Sequence, residues 1–455
     1  ALNFIGHATG YPTDSKNKPS GNQDLSTEVG FFANANYMYN NRYYADFVYR
    51  LSGSSKFGSN QRYGQFWSGG LGWNLHNENF LKFEKLNLLK IRGSVGYTGK
   101  VNFEPFQSIT MYKYENTLEY LHGIGAIPQT IGNDDLKWER EFSYNIGADI
   151  SLFDRRLNAT LDFYLKRTKD LVLDASIAPS TGVVSGKQNI GEMENKGFEF
   201  SVDGFIIQRN DVWWQLGMNG STNKNRILKI SNALKRQNEL NNDVAPTRQT
   251  PAPLAQYEEG ESTSALKVVR SAGIDPATGR EGFIKLDGTR TFTYSADDKV
   301  VVGDTDPRFY GNVYTNVFYK GFSLYIMGSF KCGGYLYNVT RASRVEGTTG
   351  RTNVDRRAFD SRWKEVGDIA LYRNITEHSV PQQTDRFVEK ENVLTITSVN
   401  LGYEFPQRIC QKMMLRNLRL GVNLSDILRF SNVKVERGLD YLYGNGFEFT
   451  LSTTF

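Results

Sequence analysis

The chain has 455 residues with 54 basic and 49 acidic side chains, a net charge of +5 and 13% aromatic residues. Because charges of both signs are mixed along the chain, there is no basic stripe that would indicate nucleic-acid binding. The mean hydropathy is -0.48, and no apolar run approaches the ~18 residues of a spanning helix, which excludes a helical membrane protein. A transmembrane β-barrel remains possible because only alternate residues of its strands face lipid.

Thirteen segments alternate apolar and polar side chains with a period of two, which predicts strands with one apolar and one polar face. In chain order they are residues 28–39, 42–51, 62–74, 88–98, 138–152, 157–173, 196–207, 212–223, 310–319, 322–331, 393–405, 415–424 and 446–455. Strands in soluble globular proteins are typically about 5 to 6 residues long. A tilted strand crosses a bilayer with about 9 to 11 residues, so each of these segments can span one.

The hairpin around Asp154 and Arg155 shows the alternation most clearly. From Trp138 to Leu152 the even positions are apolar except Arg140, and the odd positions are polar or glycine. A large soluble sandwich or barrel would also bury one face of each strand. The strand length, the repetition and the aromatic content of the apolar face favour a membrane β-barrel instead.

The connections between these segments alternate in length. The shorter set comprises residues 40–41, 75–87, 154–155, 208–211, 320–321 and 406–414, and the mostly longer set comprises 52–61, 99–136, 174–195, 224–309, 332–392 and 425–445. An up-and-down outer-membrane barrel produces this alternation, because its periplasmic turns are short and its extracellular loops are long. We therefore predict long extracellular loops at residues 99–136, 224–309 and 332–392.

The last segment alternates Phe447, Phe449 and Leu451 on one face and ends with Phe455. An apolar strand that ends in an aromatic residue resembles the C-terminal signature of outer-membrane proteins, and it would place the C-terminus in the periplasm. Thirteen strands do not make a complete bacterial barrel, which has an even number. We therefore expect further strands before Ala1, with residues 1–27 as the tail of an extracellular loop and no signal peptide in residues 1–19.

Several sequence blocks together carry a resemblance to a known family. Residues 135–200 contain DLKWERE, FSYNIGADISLF, RLNATLDFYLKRTKDLVL and NIGEMENKGFEF. The same resemblance holds for GWNLHNENF and LLKIRGSVGYTG in residues 72–99, for GIDPATGREGFIKLDG in residues 273–288, and for GDTDPRFYGNVYTNVFYKGFSL in residues 303–324. Together these blocks resemble the C-terminal part of the SusC/RagA family of TonB-dependent outer-membrane transporters of the Bacteroidetes, and they cover nearly the whole chain in the order and spacing of that family.

The resemblance implies an all-β fold, a transmembrane antiparallel up-and-down β-barrel. Residues 1–455 would be the C-terminal ~13 strands of a probable 22-stranded barrel. The N-terminal plug domain, the TonB-box segment and about nine strands would lie outside this chain.

The implied function is active import of oligosaccharides or peptides across the outer membrane. In the family a SusD-like surface lipoprotein forms a lid, and TonB with ExbB and ExbD pulls on the plug to open a path. A passive porin or adhesin-type barrel is the alternative, and a soluble sugar-binding β protein is a further one. We expect no enzymatic activity and no nucleic-acid partner.

The family motif residues are expected to have structural roles. They are Trp138, Glu139, Asn189, Gly191, Asn195, Gly197, Glu199, Asp275, Pro276, Gly279, Pro307, Gly311 and Phe455. Glu199 is expected to face the lumen. Five loop aromatics are candidates for contact with substrate or lid, with loop packing as the alternative: Tyr112, Tyr114, Tyr120, Trp363 and Tyr372.

No catalytic, cofactor or metal site is expected. The four histidines, His7, His76, His122 and His378, lie far apart and have no partners at ligand spacing. Whether the loops bind calcium stays open. Cys332 and Cys410 fall at opposite ends of strands, whereas a disulfide needs α-carbons within about 7 Å, so two free thiols are predicted.

Overall fold

The computed structural model describes residues 24–120, 123–177, 180, 182–183, 185–244, 252–348, 354–434 and 444–454. In chain order the strands are β1 (Glu28–Tyr39), β2 (Tyr43–Ser54), β3 (Tyr63–Asn74), β4 (Leu86–Lys100), β5 (Met111–Tyr120), β6 (Gly123–Thr130), β7 (Glu139–Leu152), β8 (Leu157–Ser176), β9 (Ser185–Arg209), β10 (Val212–Lys229), β11 (Ala265–Ile274), β12 (Glu281–Ile284), β13 (Arg290–Thr291), β14 (Lys299–Asp304), β15 (Phe309–Tyr319), β16 (Phe322–Tyr337), β17 (Val388–Glu404), β18 (Asn417–Ser431) and β19 (Gly446–Thr454). The helices are α1 (Asn232–Val244), α2 (Arg357–Asp360) and α3 (Gln407–Lys412), and residues Arg341–Glu346 form a π-helical turn.

Within these ranges, thirteen strands form one large sheet in which neighbours in sequence are neighbours in space. Its order is β1-β2-β3-β4-β7-β8-β9-β10-β15-β16-β17-β18-β19. Adjacent strands pair antiparallel, for example Leu152 with Leu157 in β7 and β8, and Tyr319 with Phe322 in β15 and β16. All thirteen predicted strands belong to this sheet, so the predicted antiparallel up-and-down architecture is confirmed.

The tight turns at one end of the sheet lie where the sequence predicts them. Asn40 and Asn41 have φ angles of 50° and 53°, and Asp154 and Arg155 have 57° and 63°. Positive φ at both central residues matches the right-handed twist of the flanking strands. We call this end of the strands the turn end of the sheet, and the end where the longer connections lie the loop end.

Several strands continue beyond the predicted boundaries at the loop end. The prediction that residues 174–195 form a loop is wrong for most of that range, because β8 and β9 remain paired as far as Ser176 and Ser185. Strands β10, β16 and β17 extend in the same direction. In these extensions the strict alternation of apolar and polar side chains stops, although apolar residues such as Ile227 and Tyr337 still occur, and the backbone pairing continues.

Two smaller sheets occupy predicted loops. Strands β5 and β6 form a hairpin within residues 99–136, and a second sheet of order β13-β12-β11-β14 lies within residues 224–309. Leu266 and Val268 of that sheet pack with Tyr337, Ala342 and Phe387 in a buried apolar cluster. We call β11–β14 together with residues 338–348 and 354–387 the loop domain.

The large sheet has one apolar and one polar face. On the apolar face the rings of Phe163, Phe198, Phe200, Phe309 and Phe330 follow one another across the sheet, with centroid separations of 4.6 to 6.1 Å. Phe163 is 60% exposed, and the other four rings are partly buried against one another. Among the described residues, no helix is long and apolar enough to cross a membrane.

Candidate functional site

The polar face of the large sheet carries a charged network centred on Arg92. Its guanidinium lies 2.6 Å from Asp162 and 3.2 Å from Asp149. These residues belong to β4, β8 and β7, and period-two alternation places all three on the same face. Asp162 pairs with Glu199 of β9, so Glu199 also lies on this face.

Amide and carboxylate side chains continue the polar face towards β10. Asn158 donates a hydrogen bond to Asp203 at 3.3 Å, and Gln215 donates to the same carboxylate at 3.3 Å. Nearer the loop end, Asn195 accepts from Asn225 at 2.8 Å and from Asn223 at 3.4 Å. These separate networks make this face of the sheet rich in hydrogen-bonding side chains.

Asn189 joins two motif blocks that are far apart in sequence. It accepts a hydrogen bond from the Lys137 N–H at 2.9 Å and donates to the Lys137 carbonyl at 2.7 Å and the Asp170 carbonyl at 2.8 Å. Glu139 is buried beside it and accepts from the Val172 N–H at 2.9 Å. These side chains satisfy backbone groups where strand pairing is irregular, which is a structural role.

Trp138 anchors the same region in a small aromatic core. Its ring lies 4.3 Å from that of Phe57 and 5.3 Å from that of Phe66, and its indole N–H donates to the Arg62 carbonyl at 3.2 Å. Phe57 and Phe66 were not identified from the sequence, because neither lies in a motif block.

Three motif glycines lie where strands approach closely. A Cβ added to Gly197 would be 2.0 Å from the Thr222 carbonyl oxygen, and one added to Gly311 would be 2.0 Å from that of Asn219. At Gly191 an added Cβ would be 2.7 Å from a methyl group of Leu173. The backbone contacts leave no room for a side chain at Gly197 and Gly311.

The Asp275–Gly279 motif joins the two halves of the loop domain. The Pro276 carbonyl accepts hydrogen bonds from the Trp363 indole N–H and the Gly367 N–H, both at 2.9 Å. Gly279 has φ +69°, and an added Cβ would be 2.6 Å from the Trp363 ring. The Thr278 hydroxyl donates to Asp275 at 2.6 Å and lowers the pKa of that carboxyl.

A buried ion cluster holds the loop domain together. The fully buried carboxylate of Glu346 lies 2.8 Å from Arg373 and 2.7 Å from Arg386. Arg386 also pairs with Glu281 at 2.7 Å, which in turn accepts a hydrogen bond from Thr384 at 2.9 Å. Burial alone would lower the pKa of Arg386, but the two glutamates outweigh burial and raise it. Neither glutamate was identified from the sequence, since no local pattern indicates a partner far away in the chain.

A cavity of about 960 Å³ lies between the loop domain and the ends of β9, β10 and β16. Side chains of both charges line it: Glu194, Lys196, Lys224, Arg226, Glu261, Asp304, Asp306 and Arg308. Tyr335 and Pro307 border it as well. The arrangement can bind a polar molecule through hydrogen bonds to charged groups.

The five candidate loop aromatics fall into separate environments. Tyr112 and Tyr114 on β5 are 65% and 74% exposed. Trp363 and Tyr372 are only 8% and 4% exposed and pack inside the loop domain, where Tyr372 accepts a hydrogen bond from Arg341 at 3.2 Å. Tyr120 ends β5, and its side chain lies outside the described residues, as does Phe455.

Cys332 near the loop end of β16 and Cys410 in α3 at the turn end are both free thiols, which confirms that prediction. In the described ranges no group of three or more His, Cys, Asp or Glu residues could hold a metal ion.

An antiparallel sheet of membrane-spanning strands with an outward apolar face and an inward polar face defines a segment of a transmembrane β-barrel. The family model described as TonB dependent receptor-like, beta-barrel matches residues 3–423. The chain belongs to this family and is an outer-membrane protein.

Individual relatives agree with this assignment. The chain is 28% identical over 434 residues to TonB-dependent receptor P3 of Formosa agariphila, covering 91% of this chain and 42% of that protein. It is 35% identical over 214 residues to TonB-dependent receptor SusC of Bacteroides thetaiotaomicron, covering 45% of this chain and 21% of that protein. The chain thus spans less than half the length of the curated relatives that it matches.

A solved structure described as the RagAB peptide transporter has the same fold over most of this chain. The TM-score is 0.76 at 23% identity, covering 92% of this chain and 46% of that chain. The SusC/RagA resemblance inferred from the sequence blocks is therefore confirmed at the level of family and fold.

Proposed function

We propose that this chain is the barrel part of an active importer of oligosaccharides or peptides. One observation carries the proposal: one face of the large sheet is polar, with Arg92, Asp149 and Asp162 on it, and a folded loop domain stands at the loop end of its strands. A passive pore needs only the polar wall. A structured loop domain at the mouth of the barrel fits a device that holds its substrate before passage.

The proposed importer is gated by an N-terminal plug and energised by TonB with ExbB and ExbD. A SusD-like surface lipoprotein would cover the extracellular mouth as a lid. The structural neighbour RagAB is described as a peptide transporter, which supports a peptide as one of the two substrate classes. Family membership and the SusC relative support the same kind of partner for this chain.

The exposed tyrosines of the β5–β6 hairpin are proposed contacts for lid or substrate. Tyr112 and Tyr114 present their rings to solvent, and an exposed aromatic ring can stack on a sugar or on a peptide side chain. Trp363 and Tyr372 cannot contact lid or substrate in this way, because their rings are buried inside the loop domain.

The first experiment is to extract the native protein in detergent and measure the intact mass of every polypeptide that co-purifies. We expect a chain about twice the length of this one, or an N-terminal fragment bound to it, together with a lipoprotein of SusD-like size. A lone 51.6 kDa species without a companion would favour the passive porin or adhesin-type barrel. Growth of a deletion strain on oligosaccharides and on peptides as sole carbon source then separates the two substrate classes.

A further inference from the structure

Positive charge is concentrated at the turn end of the large sheet. Six connections join its strands there: residues 40–42, 75–85, 153–156, 210–211, 320–321 and 405–416. Together they carry nine basic and four acidic side chains, an excess of five positive charges that equals the net charge of the whole chain. All other residues therefore sum to zero charge, and the charge asymmetry of the chain lies entirely at this end.

Eight of these nine cations are exposed and have no ion-pair partner among the described residues. The exception is Arg42, which is partly buried and pairs with Glu78 at 3.4 Å. Five of the eight exposed cations lie in the connections within residues 75–85, 153–156 and 320–321: Lys82, Lys85, Arg155, Arg156 and Lys320. At the loop end, in contrast, Arg373 and Arg386 are buried against glutamates, so positive charge there is already neutralised.

The connection between β17 and β18, residues 405–416, is the longest of the six and the most basic. It carries Arg408, Lys412 and Arg416, all exposed, and no acidic residue. Arg408 and Lys412 are four residues apart on α3, so both side chains lie on the same side of the helix. The Arg416 N–H donates to the Thr454 carbonyl at 2.7 Å, which fixes the end of the connection beside β19.

The six connections follow one another at regular intervals. Because the strand order of the large sheet follows the chain order, neighbouring connections are two strands apart, a distance of about 10 Å. The complete row extends over about 50 Å. The connection that has no cation of its own, residues 210–211, directly follows Arg209 at the end of β9. The cations come from separate segments of the chain, so the sequence shows no basic run and only the fold brings them into one row.

This row of cations lies at the periplasmic edge of the membrane. The short turns of outer-membrane barrels are periplasmic, and aromatic girdles mark both membrane interfaces. Tyr319 and Phe322 flank the turn at Lys320 and are 52% and 60% exposed. The Lys320 ammonium lies 5.5 Å from the centroid of the Tyr319 ring. The lysine thus follows directly after the aromatic girdle, and the row of cations faces the periplasm.

We propose that this row of cations binds a linear polymer that carries carboxylates at regular intervals. The peptidoglycan layer beneath the outer membrane has this chemistry, because its peptide stems end in carboxylates. A single phosphate would need cations that converge on one point, whereas these are spread over about 50 Å. Arginine binds a carboxylate through two parallel hydrogen bonds. The surface lies at the end of the strands opposite the loop domain and is therefore separate from the proposed import mouth.

The test uses the complete polypeptide that carries this chain, embedded in phosphatidylcholine nanodiscs and sedimented with purified peptidoglycan sacculi. The turn variant combines Arg408→Gln, Lys412→Gln and Arg416→Gln. Its dissociation constant should rise about tenfold at low salt, since each exposed ion pair contributes roughly twofold. Sacculi whose carboxylates have been converted to amides should no longer bind the wild type.

The matched control combines Lys285→Gln, Arg290→Gln and Lys364→Gln, which remove three exposed cations from the loop domain. This loop variant should bind sacculi as the wild type does. A variant that combines Arg408→Lys and Arg416→Lys keeps the charge of the turn and should bind within about twofold of the wild type, because exposed ion pairs depend mainly on charge. Heat-induced unfolding followed by circular dichroism confirms that each variant forms the barrel.

No binding of the wild type to sacculi, binding that survives amidation, or an equal loss in the loop variant would overturn the proposal. Binding to polyglutamate but not to sacculi would overturn it in favour of an acidic protein partner. Binding that is lost when the nanodiscs contain phosphatidylglycerol would overturn it in favour of anionic lipid headgroups. None of these results depends on whether the protein imports a sugar or a peptide.

Discussion

Buried charge in the loop domain is concentrated on Glu346 and Glu281, which share Arg386 between them. Desolvation of these groups is compensated only while each charge keeps its partners. The cluster therefore makes the fold of the loop domain sensitive to single substitutions, although it adds less net stability than its number of ion pairs suggests.

Glu346→Gln is predicted to destabilise the loop domain. The substitution keeps the size of the side chain but leaves Arg373 and Arg386 without a shared counter-charge, at a cost of about 3 kcal/mol. Hydrogen–deuterium exchange should show faster exchange of backbone amides in residues 338–387 than in the wild type. The control is Arg356→Gln, which breaks an exposed pair whose arginine is 90% exposed and should change the free energy of local unfolding by only about 0.5 kcal/mol. Unchanged exchange in Glu346→Gln would show that the cluster does not hold the domain.

Lys299 should give the loop domain a stability that rises at alkaline pH. Burial lowers its pKa from 10.5 to about 8, and its ammonium lies 3.4 Å from the Asn242 amide oxygen. Between these two pKa values the unfolded chain binds more protons than the folded one, so the free energy of unfolding increases with pH.

The measurement for Lys299 is the unfolding temperature at pH 7.5 and at pH 10. Lys299→Met cannot titrate, so the variant should be stabilised relative to the wild type at the lower pH, and this difference should shrink at the higher pH. Lys364→Met replaces an exposed lysine of the same domain and should follow the wild type at both values. A constant difference between Lys299→Met and wild type at both pH values would contradict the assignment.

At the scale of strands, close approach of backbones decides which positions accept a side chain. Gly197 and Gly311 both face a carbonyl oxygen of β10, at Thr222 and Asn219 respectively. Pairing on both sides of β10 therefore depends on positions that lack a Cβ, and a substitution there must separate two strands.

Gly197→Ala is predicted to destabilise the barrel by about 1 to 3 kcal/mol, the usual cost of forcing extra atoms into a packed site. Thermal unfolding in detergent measures the effect. Gly421→Ala on β18 is the matched control, because its nearest neighbouring atom would lie 3.6 Å from the new Cβ. That control should be neutral or slightly stabilised, since alanine restricts the unfolded chain more than glycine does. Equal unfolding temperatures for both variants would show that the strands can separate without cost.

At the scale of the whole molecule, the alternation of short turns and long connections separates two chemically different ends. The turn end carries tight hairpins and α3, and the loop end carries the loop domain and the charged cavity. Cys410 and Cys332 lie at these opposite ends, and both are free thiols.

The topology predicts that both thiols stay reduced in the mature protein. Alkylation of the denatured protein without prior reduction should therefore modify both cysteines, as peptide mass spectrometry would show. A sample reduced first serves as the reference and should carry the same two modifications. A peptide containing Cys332 linked to one containing Cys410 would contradict the strand order.

Much of the barrel could be predicted from the sequence because lipid imposes a strict rule on spanning strands. Between Trp138 and Leu152 every second side chain except Arg140 is apolar, so residue order alone locates such strands. The prediction of a loop at residues 174–195 was wrong because these residues lie beyond the part of the strands that faces lipid. Outside the bilayer, alternate side chains do not have to be apolar. The pairing of β8 with β9 continues there through backbone hydrogen bonds, which do not depend on side-chain polarity and so cannot be predicted from alternation.

The sequence by itself determined the strand order, the positions of the turns, the free cysteines and the family, since each depends on local alternation or on motif blocks. Only the tertiary structure decided that Trp363 and Tyr372 pack inside a folded loop domain while Tyr112 and Tyr114 face solvent. It also decided that Glu281 and Glu346 meet at one arginine. These features depend on contacts between residues far apart in the chain, and such contacts are set by how the strands and loops pack.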